Sequence, residues 1–158
     1  MNDIDNMDWK NPKTWNILRL IAYTNKICRS YVEERLKKAG FDDFQIRNMW
    51  LLKLVEHYPH QTMNELANLA NQSRANITIL SKRLAEKGYL DRYHPEDNKK
   101  VIYLKPTAKW QKIQPIIMSL MDELSLYIEK VITKERKILL EQDLATLILS
   151  LSRLAHTK

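Results

Sequence analysis

Glycine is almost missing from this sequence: Gly40 and Gly88 are the only two in 158 residues. Loops that cradle phosphate, such as G-x-G-x-x-G and the Walker motif, need several glycines so that backbone amides can approach the anion. Two isolated glycines exclude dinucleotide dehydrogenases and P-loop NTPases. The same shortage of turn-formers argues against an all-β fold. The single cysteine, Cys28, excludes an internal disulfide framework and four-cysteine zinc sites, and it fits a reducing compartment. No apolar run approaches the roughly 18 residues that cross a bilayer, so no membrane partner is expected. Met1 to Asp8 are acidic and polar, unlike a signal peptide, and a cytoplasmic location is the expectation.

What the chain does have is positive charge, unevenly placed. The formal net charge is +7. Residues 62–113 hold ten basic and five acidic side chains, whereas residues 114–158 hold six of each and residues 1–61 hold ten and eight. A localised basic segment is what a polyanion selects, because each Lys or Arg near a phosphate releases condensed counterions. A solvated surface that only keeps the protein soluble is the competing reading.

The periodicity is helical with one interruption. Pro12 is expected to open a first helix, with Leu18, Ile21, Asn25, Cys28, Val32 and Leu36 on one face and Gly40 at its end. Asp42 or Asp43 would cap a second, carrying Phe44, Met49, Leu52 and Val55 and stopping near Pro59. Thr62-Met63-Asn64-Glu65 is a capping box for a short third helix, Met63 to Ala70. Asn71-Gln72 is a turn, and Ser73 caps a fourth helix that ends at Gly88. Tyr89–Tyr93 and Val101–Leu104 read as strands joined by the loop His94 to Lys100. A long helix follows Pro106-Thr107, and Thr133 would cap the last one.

Short helix, tight turn, helix and two-stranded hairpin is the order of a winged helix-turn-helix, a layout that reads DNA. On the fourth helix Ile77, Leu80 and Leu84 share the face that anchors to a core. Arg74, Thr78 and Lys82 share the outer flank, with Asn76 and Ile79 nearby. In a major groove Arg bonds a guanine edge, Asn an adenine edge, and Ile suits a thymine methyl. Ser73 and the free amides at the helix start suit a phosphate. Lys99 and Lys100, at or just past the hairpin tip, would reach a minor groove or its phosphates, with Asp97 holding the loop by pairing with Arg92 or a lysine. A charged solvent face and a plain surface turn are the bland alternatives.

Asn64-Glu65-Leu66-Ala67, Ser73-Arg74, Leu84-Ala85-Glu86-Lys87-Gly88-Tyr89-Leu90-Asp91-Arg92, Glu96-Asp97-Asn98-Lys99 and Lys105-Pro106-Thr107 resemble, in order and spacing, the MarR family of multiple antibiotic resistance regulators. The motif-bearing part covers about residues 62–110. The resemblance implies a mostly α fold: a winged helix-turn-helix with a β-hairpin wing and N- and C-terminal dimerisation helices. It implies an N-terminal dimerisation helix at 1–40, a DNA-binding domain at 41–106 and C-terminal dimerisation helices at 107–158. It also implies a homodimeric transcription regulator, often released by a small, frequently aromatic effector. Three positions depart from the family pattern. Lys99 stands where the wing usually has Arg, and it lacks that residue's planar fork. The stretch from Asp97 to Thr107 is about one residue longer than usual. Trp110 stands where Gly is common.

The outer helices carry more apolar side chains than a small winged domain covers. Ile116, Met118, Met121, Leu126 and Tyr127 lie off the main stripe of the first, and Leu139, Ile148 and Leu149 off that of the second. Such an excess usually marks a partner surface; the family resemblance implies a second copy there, and the alternative is an intramolecular helical bundle that absorbs these residues. Catalytic signals are weak. His57 and His60 have no third ligand beside them, Cys28 reads as a buried inert thiol, and no nucleophile, base and orienter assemble. No enzyme activity, cofactor or metal is expected. Trp9, Trp15, Trp50 and Trp110 read as core rather than cavity lining. The rival functions are a winged-helix protein-interaction module and a small-molecule-binding protein without a DNA role.

Overall fold

The computed structural model describes residues 8, 10–96 and 98–156. Most of the acidic start, Trp9, the role read for Asp97 and the side chain of His156 lie outside them. Among the described residues the order is α1 (Ile17–Lys38), α2 (Met49–His57), α3 (Met63–Leu69), α4 (Arg74–Glu86), β1 (Leu90–Tyr93), β2 (Tyr103–Pro106), α5 (Ala108–Ile132) and α6 (Lys134–His156). The chain forms two compact units, one up to Ile117 and one from Met118, with the boundary inside α5. No helix among the described residues is long and apolar enough to cross a membrane.

Local chemistry explains where these helices start and stop. The Asn16 side chain accepts from the Arg19 amide and starts α1 at Ile17; Pro12 sits instead in a separate 3-10 turn, Pro12–Thr14. Three helices end in the same device. Gly40, Asn71 and Gly88 all take left-handed φ, at +85°, +50° and +75°. In each case the next residue's amide reaches back five residues: Phe41 to Leu36, Gln72 to Ala67, Tyr89 to Leu84. This satisfies carbonyls that the helix end leaves open. The expected Asp cap on α2 is not formed. A 3-10 turn, Ile46–Asn48, delays α2 until Met49, and Phe44 precedes it. Thr133 does not cap α6 either: its φ is +62°, not the extended geometry a capping side chain uses.

The core of the first unit gathers Val32 and Leu36 of α1, Leu51, Leu52 and Val55 of α2, Ile77 and Leu84 of α4, and Trp110 and Ile113 of α5. The α1 stripe therefore divides. Its C-terminal part is core, while Leu18, Ile21 and Asn25 are exposed and Cys28 is half-buried rather than enclosed. On α4, Leu80 is half-buried, and the small Ser81 takes a fully buried place on the inner face.

Polar ties lock α4, β1 and the start of α5 onto this core. Asp43, freed from capping, accepts from the Tyr89 hydroxyl at 2.5 Å and from Lys109 Nζ at 2.7 Å. Lys109 also donates to the Lys87 carbonyl at 2.9 Å. Burial works against ionised Asp43, but hydrogen bonds from Lys109 and Tyr89 and the charges of Lys109 and Lys87 prevail, holding the carboxyl below its ordinary range. Burial first, and Asp43 second, push the Tyr89 phenol well above its own range. Thr107 donates to the Gly88 carbonyl at 2.6 Å, joining the start of α5 to the end of α4. Trp110 packs 5.8 Å from Phe44 and donates its indole N–H to Glu56 at 2.7 Å. The carboxylate of Glu56 thereby ties α2 to α5.

In the second unit Lys137 of α6 bonds Glu129 of α5 at 2.9 Å. Otherwise α6 is bare: among its described side chains only Lys137 and Leu144 are even half-buried.

Candidate nucleic-acid interface

The turn between α3 and α4 is built from caps. Thr62 and Glu65 form the reciprocal capping box that starts α3, and the amide hydrogen bond from Thr62 holds the Glu65 carboxyl below its ordinary range. Asn71 closes α3 in the left-handed form. Two residues on, the Ser73 hydroxyl accepts from the Asn76 amide at 3.1 Å and starts α4. Residues 62–76 therefore specify both ends of α3 and the start of α4.

On α4 the inner side is Ile77, Ser81 and Leu84, all buried. The opposite midline is Ala75, Ile79, Lys82 and Glu86, all exposed. Arg74, Asn76 and Ser73 are exposed beside it, and Thr78 is half-buried. Every residue read from the sequence as a DNA contact on α4 therefore reaches the surface, Thr78 in part. Their polar atoms are not equally available. The Thr78 hydroxyl donates to the Arg74 carbonyl at 2.8 Å. The Asn76 amide donates to Gln72 at 3.3 Å, which fixes the side chain but leaves capacity for more bonds. Ala75, on the midline, was not among the predicted contacts. Its spacing of four from Ile79 is the signal that finds it.

The wing differs from its expected boundaries. β1 and β2 pair antiparallel, with Leu90 opposite Pro106 and Tyr93 opposite Tyr103, so β2 begins two residues later than the apolar run Val101–Leu104 suggests. The cause is competition within the loop. Asn98 accepts from the Lys100 amide at 3.0 Å, the Val101 amide bonds the Asn98 carbonyl at 3.2 Å, and the His94 ring takes the Val101 carbonyl at 2.8 Å. With these groups occupied, Val101 has nothing to offer a ladder. Lys99 and Lys100 sit in the resulting turn, exposed.

Folding also brings together residues that the sequence keeps apart. Arg74 and Lys100 line one small crevice, about 80 Å³, with Thr62, Met63, Asn64, Val101 and Ile102. Arg74 of α4 and Lys100 of the wing loop both line it, beside residues of the α3 start. Such a cluster suits one phosphate group. No spacing rule in the sequence predicts this convergence, because Asn64, Arg74 and Lys100 belong to three elements.

Comparison with known proteins agrees with this geometry. Residues 47–102 match the model of the MarR family. The HTH-type transcriptional regulator FarR of Neisseria gonorrhoeae is 30% identical over 112 residues, which cover 71% of this chain and 75% of FarR. The HTH-type transcriptional regulator PchR of Bacillus subtilis (strain 168) is 27% identical over 101 residues, covering 61% of this chain and 60% of PchR, so this chain spans less than two thirds of that relative. In structure the chain resembles Streptococcus pneumoniae FabT, solved in complex with DNA, with a TM-score of 0.65 at 21% identity, covering 88% of this chain and 99% of that one. The helix-turn-helix, the wing and the flanking helices thus have one explanation: the chain belongs to the MarR family of winged helix-turn-helix transcriptional regulators.

Proposed function

We propose that the protein is a homodimeric repressor that binds a near-palindromic DNA duplex and is released by a small aromatic effector. The observation that carries the DNA part is the outward arc of α4 flanked by the wing cations. Arg74, Asn76, Ile79, Lys82, Lys99 and Lys100 are all exposed, and none is needed for the core. The crevice shared by Arg74 and Lys100 favours a phosphate role for Arg74 over the guanine contact its residue type suggests. Ser73 and the first amides of α4 would serve the same strand. Base reading then falls to Asn76, Thr78 and Ile79.

Dimerisation is supported by apolar side chains with no cover from their own chain. Leu126, Tyr127 and Val131 on α5 and Ile148, Leu149 and Leu154 on α6 are each 60% exposed or more. Burying such a side chain fully contributes about 1.5–3 kcal/mol, so leaving them in water is a large forfeited stabilisation. A two-fold pair would set two α4 helices about 34 Å apart, or a multiple of one DNA turn, which makes the site a near-palindrome. A dimer occupying a promoter represses by excluding polymerase, without chemistry of its own.

A hollow beside the wing supports the effector reading. An open hollow of about 720 Å³ lies between the end of α2 and the wing, lined by Pro59, His60, Asp91, Arg92, Tyr93 and Lys105. Rings from His60 and Tyr93 suit an aromatic ligand, and Arg92 and Lys105 outnumber Asp91 as charges facing an acidic group. Occupancy there would release DNA only by favouring a DNA-incompetent arrangement.

The test is selection of bound duplexes from random DNA at two salt concentrations, followed by titration of an aromatic carboxylate into the complex. A two-fold consensus whose affinity falls with salt is the expected result. Salt-insensitive binding without any consensus would reject the reading in favour of a protein-interaction module.

A further inference from the structure

We propose that α4 selects its DNA site mainly through the 5-methyl groups of thymine, with Ile79 and Thr78 as the specificity-determining residues. This rests on the reading above that α4 enters a major groove. In that groove the thymine methyl is the one apolar feature a base pair displays.

Three observations carry the inference. First, the part of α4 that leads into a groove is apolar along its midline. Ala75 and Ile79 precede the first charged midline residue, Lys82, and Ile79 is 57% exposed. Second, Thr78 has spent its donor. Its hydroxyl donates to the Arg74 carbonyl, so toward a base it keeps its methyl and an accepting oxygen, with no proton to give. Third, the cation nearest the helix start, Arg74, lines the same small crevice as Lys100, and a phosphate held there would compete with a guanine contact. Asn76 is then the polar reader, and the two donor and acceptor positions of an amide match adenine N6 and N7. Amide and methyl readers both choose A·T pairs. The consequence is a half-site rich in A·T in which the position of each thymine methyl matters, beyond the composition.

Uracil differs from thymine only by that methyl, so the experiment replaces thymines of the selected site by uracil one at a time and measures affinity for wild type, Ile79→Ala and Thr78→Ser. The Thr78→Ser change deletes the methyl and keeps the hydroxyl that bonds back to Arg74. Both positions lie on the solvent side of α4, and circular dichroism verifies that the variants are folded. The expected result is a loss of about fourfold at each sensitive thymine in wild type, the size of one buried methyl. At least one position per half-site responds, and Ile79→Ala or Thr78→Ser abolishes the thymine–uracil difference there. Cytosine placed at that position weakens binding, and 5-methylcytosine recovers part of it. Thymine and uracil duplexes bound equally well, with the consensus intact, would overturn the proposal and leave DNA recognition standing. A methyl effect that both variants retain overturns the assignment to Ile79 and Thr78. Absence of any preferred duplex overturns the groove reading and this proposal together.

Discussion

Salt is the most direct lever on the proposed interface, and the structure sets its size. Under that proposal each chain would turn four exposed cations, Arg74, Lys82, Lys99 and Lys100, toward a duplex. Each phosphate neutralised by a cation contributes about 0.9 to the slope of log affinity against log salt. Four contacts give a slope of about −3.6 for one protomer and about −7 for a two-fold pair. Between 50 and 200 mM salt that is about a hundredfold loss for a monomer and about ten-thousandfold for a dimer. Fluorescence anisotropy on the selected duplex across that range reads the slope directly. The double substitution Lys99→Ala with Lys100→Ala removes two contacts per protomer, so it should bring the slope of a dimer back to about −3.6 while leaving the consensus unchanged. Wild type with a slope near −1, or a double variant with the wild-type slope, would refute the placement of these cations against phosphate.

Other expectations concern the scaffold. Gly88→Ala forces a side chain into φ +75°, and because its Cβ would meet only Lys109 Cδ at 3.8 Å, the cost is that of the backbone, about 1–2 kcal/mol by urea denaturation. Thr62→Ala removes the α3 cap and should destabilise the fold by about 1 kcal/mol in the same assay. Asp43 has a folded-state pKa below its ordinary 3.8, so its stabilising contribution is complete above that value and is lost as the pH falls through the lower one. Asp43→Asn should therefore lower the urea midpoint at neutral pH and flatten its decline on acidification. Leu149→Arg places a charge in the proposed pairing surface and should yield monomers by analytical ultracentrifugation, with weakened DNA binding.

The parts of this molecule that could be read from the sequence are those decided within a few residues. The Thr62–Glu65 box and the Ser73 cap act over three positions, and Gly88 ends its helix through its own backbone, so α3 and α4 were expected nearly where they stand. Asp43 shows the limit. A carboxylate ahead of an apolar run resembles a cap, but its partners Tyr89 and Lys109 are 46 and 66 residues away, and they outcompete the local option. The start of β2 was misplaced because β-branched Val101 and Ile102 look like strand, while hydrogen bonds from Asn98 and His94 hold that backbone in the loop. The outward face of α4 was identifiable from its helical spacing. That Arg74 and Lys100 share a crevice follows only from how the wing folds back beside α3.

The chain leaves nearly all of the described side chains of α6 in water, apolar ones included. Under the paired reading, such an arm stays unfinished until a sister chain arrives, and finishing it is a second-order event. Midpoints of thermal melting should then rise with protein concentration, and a dilute newly made chain would be the form most exposed to proteases. How many copies a cell holds would in that case set the lifetime of the protein as well as the occupancy of its sites.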